Sequence, residues 1–156
     1  QTDPDVAPHL PDAIHNDPIL ITLDRRGAAL YERIRKDLLD DLAEAATLFG
    51  KSFNIFAHYG HQADKGGEEN EWRGRIMSKV GALKMLCSHP DLIRTSAKKF
   101  LSGSGEGSAY ATQLVDDGYL EEVGGSKKLD FLTQYVKEFL EQDDNNKVVI
   151  FATYVA

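Results

Sequence analysis

The chain has 156 residues, 42% of them hydrophobic and 28% charged, with a formal net charge of −7. That length supports one domain with a real core, and the negative balance argues against a general polyanion-binding surface, which is normally basic. Cys87 is the single cysteine, so a disulfide framework is excluded and a reducing compartment is favoured.

In chain order, residues 1–16 carry Pro4, Pro8 and Pro11, and proline, which fixes φ and lacks a donor, keeps regular structure out of them. The β-branched run from Pro18 to Leu23 predicts a short strand. Asp24 is a candidate N-cap, since its carboxylate can accept a first-turn amide. A long helix follows, with Leu30, Ile34, Leu38, Leu42, Ala45 and Leu48 or Phe49 at helical spacing. Glu32, Arg35, Lys36, Asp40 and Glu44 form its solvated side. Residues 50–61 are ambiguous, and Gln62 to Asn70, with Gly66-Gly67, reads as a loop.

Glu71 to Cys87 predicts a second long helix with Trp72, Ile76, Val80, Leu83 and Leu86 or Cys87 inward. Pro90 ends it, because the residue before a proline is pushed out of the α region. Pro90 to Leu101 predicts a further helix, with Leu92, Ile93, Ala97, Phe100 and Leu101 as its apolar set. Ser102 to Ser108, with three glycines, reads as a loop, and Ala109 to Val115 as a short helix. From Ser126 a last helix is expected to bury Leu129, Leu132, Val136, Phe139 and Leu140. The charged turn Glu141 to Asn146 leads to an apolar run, Val148 to Phe151, expected as a strand.

Several local patterns resemble sites without completing one. Gly50-Lys51-Ser52 looks like the tail of a phosphate loop, but the required earlier glycine is Ala45 and the approach is helical. Gly103 to Gly107 lacks a strand to deliver it to a helix. His58 and His61, with Asp64 and Glu68, fall short of the ligand set a zinc site needs. Cys87 and His89 read as a buried thiol and a capping or packing imidazole rather than a reactive pair. Tyr31 and Trp72 read as core. No run of ~18 apolar residues suggests a membrane span, and no basic-then-apolar leader pattern opens the chain.

The order of motifs resembles the Swi/Snf family of helicase-like ATPases, DNA translocases of helicase superfamily two. Leu83 to Pro90 looks like the family's L-R-x-x-C-x-H-P segment, and Gly125 to Leu129 like its G-S-K-L helix start. Lys147 to Tyr154 looks like its K-V-L-V-F-S-Q-F strand, motif IV. Leu10-Pro11, Ile19 to Leu23 and Ala29 to Ile34 look like the L-P, short strand and Q-x-x-x-Y-x-x-I helix that come earlier. The likeness spans nearly the whole chain.

The fold this implies is mainly α, a helical insertion or protrusion region with one or two short strands. The last strand would be the first of an incomplete RecA-like lobe. The implied domains are 1–23 (linker with a short strand), 24–118 (helical insertion region, with loops near 62–70 and 102–108) and 119–156 (start of the second lobe). The resemblance further implies a fragment of an ATP-dependent double-stranded DNA translocase, a mechanical junction rather than a reacting centre. Phosphoryl transfer needs a phosphate loop, an Mg²⁺-binding acid and an arginine finger, and none is placed on these residues. No cofactor is expected in this segment, with ATP and Mg in the parent.

The resemblance carries DNA-backbone contacts onto Lys127, Lys128, Thr153 and Tyr154. The family's Ser-Gln is Ala152-Thr153 here, so one amide contact is lost. Expected partners are the remaining lobes of the same polypeptide and, through the parent, double-stranded DNA. No membrane is expected, and a dimer by strand-edge pairing is allowed. The expected compartment is the cytoplasm for a bacterial or phage-encoded protein, or the nucleus in a eukaryote. The alternative is a self-contained helical protein-interaction module, closed if Ile19–Leu23 pairs with Val148–Phe151. A helical DNA-binding protein is disfavoured by the −7 charge.

Overall fold

The computed structural model describes residues 16–50, 53–55 and 67–153. Among these the regular structure is five α-helices: α1 Arg25–Phe49, α2 Glu68–Ser88, α3 Asp91–Leu101, α4 Ala109–Asp116 and α5 Lys127–Gln142.

Local chemistry sets the ends of α1 and α2. An Asp24 carboxylate oxygen accepts the Gly27 amide at 2.6 Å and starts α1. Gly50 stops it at φ 66°, a left-handed conformation that costs glycine little, and donates its own amide to the Ala46 carbonyl. Glu68, Glu69 and Glu71 occupy the first turn of α2, where negative charge complements the helix dipole. Ser88 is its last residue, two before Pro90.

The apolar stripes of α1 and α2 face each other in antiparallel fashion and close two clusters. At one end Leu30 and Ile34 join Ala82 and Leu86, together with Ile93 and Ala97 of α3, Tyr110, Ala111 and Leu114 of α4, and the following Leu120 and Val123. At the other end Ala45 meets Trp72 and Ile76, with Leu38, Leu42, Phe49, Phe53 and Ile55 packed around them. Ile34, Ile76, Ile93 and Leu114 are the largest fully buried side chains. Each contributes roughly 1.5–3 kcal/mol by leaving water.

The α3–α4 loop lies against the backbone of α3. Gly107 sits at φ 86°, and a Cβ there would fall 2.1 Å from the Ser96 carbonyl oxygen and 2.7 Å from the Phe100 amide nitrogen. The approach requires a residue without a side chain.

Three expectations are corrected. First, neither Pro18–Leu23 nor Val148–Phe151 forms a strand, and no strand of any kind occurs among the described residues. The mainly α expectation with one or two strands therefore gives way to an all-helical fold there, without the opening strand of a RecA-like lobe. β-branched composition makes a strand only where a second edge supplies ladder partners. These two runs do not pair with one another, so the closed form of the alternative module is absent too. Ile19, Leu20, Val149, Ile150 and Phe151 are exposed.

Second, α5 buries none of its residues. Leu129 and Leu140 are exposed and Leu132, Val136 and Phe139 are only half-buried, because α5 meets the body of the domain along α2 alone among the helices. Third, Cys87, expected as a buried thiol, is exposed, and of the two alternatives at the end of α2 it is Leu86 that points inward. Phe100 and Leu101, expected inside, are also exposed, since α3 turns Ile93 and Ala97 to the core.

Candidate functional site

Of the residues assigned to DNA contact, the described ones, Lys127, Lys128 and Thr153, gather around the start of α5. Gly124-Gly125 leads to Ser126, whose hydroxyl does two tasks at once. It accepts the Leu129 amide at 3.2 Å as the cap of α5 and donates to the Ser88 carbonyl at 2.7 Å. Ser126 is buried, so this bond joins the start of α5 to the end of α2 in a partly dry setting.

Lys127 and Lys128 follow in the first turn, both exposed. They line a cavity of about 220 Å³ with Leu20, Gly27, Leu86 and Cys87. Lys128 also lines a neighbouring groove of about 210 Å³, bounded by Leu92, Leu132, Phe151 and Thr153. Lys128 and Thr153 thus share one groove and Lys127 borders the adjoining cavity. Tyr154 lies outside the described residues, as do Lys51, Ser52, His58, His61 and Asp64.

The chemistry near Lys128 is muted. Desolvation pushes the Cys87 thiol above its ordinary pKa, against the opposing charge of Lys128. The thiol form therefore dominates at neutral pH. His89 accepts the Asp91 amide on Nδ1 at 3.1 Å, a contact that turns the chain from α2 into α3. These two side chains are structural neighbours at a helix junction. No group of three or more His, Cys, Asp or Glu side chains is disposed to hold a metal among the described residues.

A second polar constellation, which the sequence reading passed over, lies between α1, α2 and α4. Asp41 is buried and accepts from two cations of α2, Arg75 at 3.0 Å and Lys79. The Arg75 guanidinium lies 4.1 Å from the Trp72 ring centroid, and Lys79 Nζ lies 4.7 Å from that of Tyr110. Tyr110 donates its hydroxyl proton to Asp37 at 2.8 Å, and Arg33 pairs with the same carboxylate at 3.2 Å. Burial, then the bond to Asp37, raises the Tyr110 pKa well above the ordinary phenol value.

A signal for this constellation exists in the sequence. Asp41 stands three residues after Leu38 and four before Ala45, and Lys79 three after Ile76. Each is a charge set in an apolar stripe, and the two have opposite sign.

No helix among the described residues is long and apolar enough to cross a membrane. No protein-family model matches the chain, and no curated protein or solved structure matches it.

Proposed function

We propose that the chain is the helical junction region of a Swi/Snf-type DNA translocase, a mechanical part that couples ATP-driven lobe closure to DNA movement. The observation that carries this reading is α5. Its sequence is amphipathic, yet it buries no residue, and the following Val149, Ile150 and Phe151 are exposed beside it. Apolar surface of this extent marks an interaction face, and the rest of the same polypeptide is the partner the motif order calls for. The ordered motif matches from Leu83 to Tyr154 supply the family; the unpartnered face supplies the role.

In this reading hydrolysis belongs to the parent, with its ATP and Mg, and this region sets how the lobes meet. Lys127, Lys128 and Thr153, with Tyr154 beyond them, lie along the DNA backbone. Their cations and hydroxyls position phosphates without reading sequence. Lys128 and Thr153 line one groove, which is where the backbone of a DNA strand would run in this reading.

The test begins with peptide mapping of the native polypeptide in its source cell. A product several-fold larger than 17.3 kDa, with DNA-stimulated ATP hydrolysis that Lys128→Glu impairs, supports the motor. A product of the size of this chain refutes it. One observation favours a second reading, a helical protein-interaction module: α1 to α4 close a buried core without α5. The same mass measurement separates the two, and the module would present α5 to a different protein.

A further inference from the structure

We infer that the cavity between α2, α3 and α4 is a binding site for a phosphate group. The cavity holds about 430 Å³ and is lined by Arg75, Ser78, Lys79, Ser108, Tyr110 and Gln113 among others, with no aspartate or glutamate in its wall among the described residues. Its charge is unbalanced. Among the described residues Asp41 is the carboxylate bonded to both Arg75 and Lys79, so there two cations share a single negative charge and one positive charge is left over. Asp37, which accepts from Tyr110 of this wall, is already matched by Arg33, and Glu106 of the α3–α4 loop by Lys99.

The two cations play different parts. Lys79 is buried and bonded to Asp41 over the Tyr110 ring, so it contributes field rather than contact. Arg75 is half-exposed and gives one nitrogen to Asp41. Its stacking on Trp72 holds the fork in place, and a guanidinium has donors to spare for a tetrahedral oxyanion. Gln113 on α4 adds an exposed amide donor across the cavity.

In a chain of net charge −7 the general field repels anions, so an anion held here is held by this local arrangement. The oxyanion is either free phosphate or a phosphodiester of a nucleic-acid backbone. The inference is independent of the motor reading, since no residue of the cavity belongs to the motifs that support it.

The experiment is a titration of the isotope-labelled chain with inorganic phosphate against chloride at matched ionic strength, followed by NMR. Saturable shifts of the Arg75 guanidinium and Gln113 amide signals are expected. Arg75→Gln is expected to weaken binding about tenfold or more, the worth of a charge-assisted contact. Gln113→Glu, an exposed site where folding is undisturbed, abolishes it, and Lys84→Gln, on the same helix but outside the cavity, leaves it unchanged.

A short DNA duplex that shifts the same signals, with an affinity that falls steeply with salt, assigns the phosphate to a nucleic-acid backbone. Silence of the duplex beside a response to phosphate assigns it to a free ion. Absence of saturation by either probe, or equal affinity in folded Arg75→Gln and Gln113→Glu, overturns the proposal. Loss of the motor reading in the mass measurement leaves this result untouched.

Discussion

α1 and α5 are built on the same plan and end in opposite states. Both open on a capping side chain, Asp24 in one and Ser126 in the other, and both carry an apolar stripe. α1 buries Leu30, Ile34 and Ala45, whereas α5 buries nothing. Helix formation is therefore a local matter of caps and propensity, and burial is a matter of which surface lies opposite. α1 has α2 along most of its length; α5 has one hydroxyl of Ser126 and a few side chains.

The contrast can be tested by weakening each region. The largest effect is expected from Asp41→Asn, which leaves Lys79 buried without a counter-charge. It should cost about 3–5 kcal/mol in urea unfolding, and Asp41→Leu with Lys79→Met should recover most of it. Ile76→Ala, at a fully buried site, is expected to cost about 2–5 kcal/mol.

Tyr110→Phe is expected to cost about 1 kcal/mol at neutral pH, where only the bond to Asp37 is lost. Its clearer signature is alkaline. The folded tyrosine holds its proton above the ordinary value of 10.0, so above that pH the unfolded chain carries fewer protons than the folded one and stability falls. The contribution is complete below pH 10.0 and is eroded as pH rises toward the folded value. The slope of stability against pH in that range should be shallower in Tyr110→Phe. The smallest effect belongs to α5. Leu129→Ala, at an exposed position, should change stability by less than ~0.5 kcal/mol. A cost as large as that at Ile76 would mean that α5 is part of the core after all.

The helices were legible because their signals are local. The stripe through Leu30, Ile34 and Ala45, the glycine at 50 and the proline at 90 act within a few residues of where they stand. The two strands were misread for the opposite reason. Val148 to Phe151 has the composition of a strand, but a strand is a relation between two segments, and composition does not say whether the second is present. α5 was misread in the same way, its apolar residues being correctly grouped and wrongly assumed to be covered. The groove shared by Lys128 and Thr153 depends on where residues 150–153 return toward α3, which no window of sequence contains. Asp41 and Lys79 each stand alone as a charge within an apolar stripe, and only the meeting of α1 with α2 makes them a pair.

Between the two apolar clusters of α1 and α2 lies a charged clasp. Apolar stripes alone resist separation but permit one helix to slip along the other by a turn, about 5.4 Å, and find new neighbours. Asp41 between Arg75 and Lys79 forbids that slip, because a one-turn shift would leave a buried charge facing an alkyl chain. The pair of helices is therefore stiff in shear, and parting them must break these charge pairs as well as uncover both clusters. A load applied at the far end of α1, a helix of 25 residues, is passed toward the α3–α4 end without being lost to sliding.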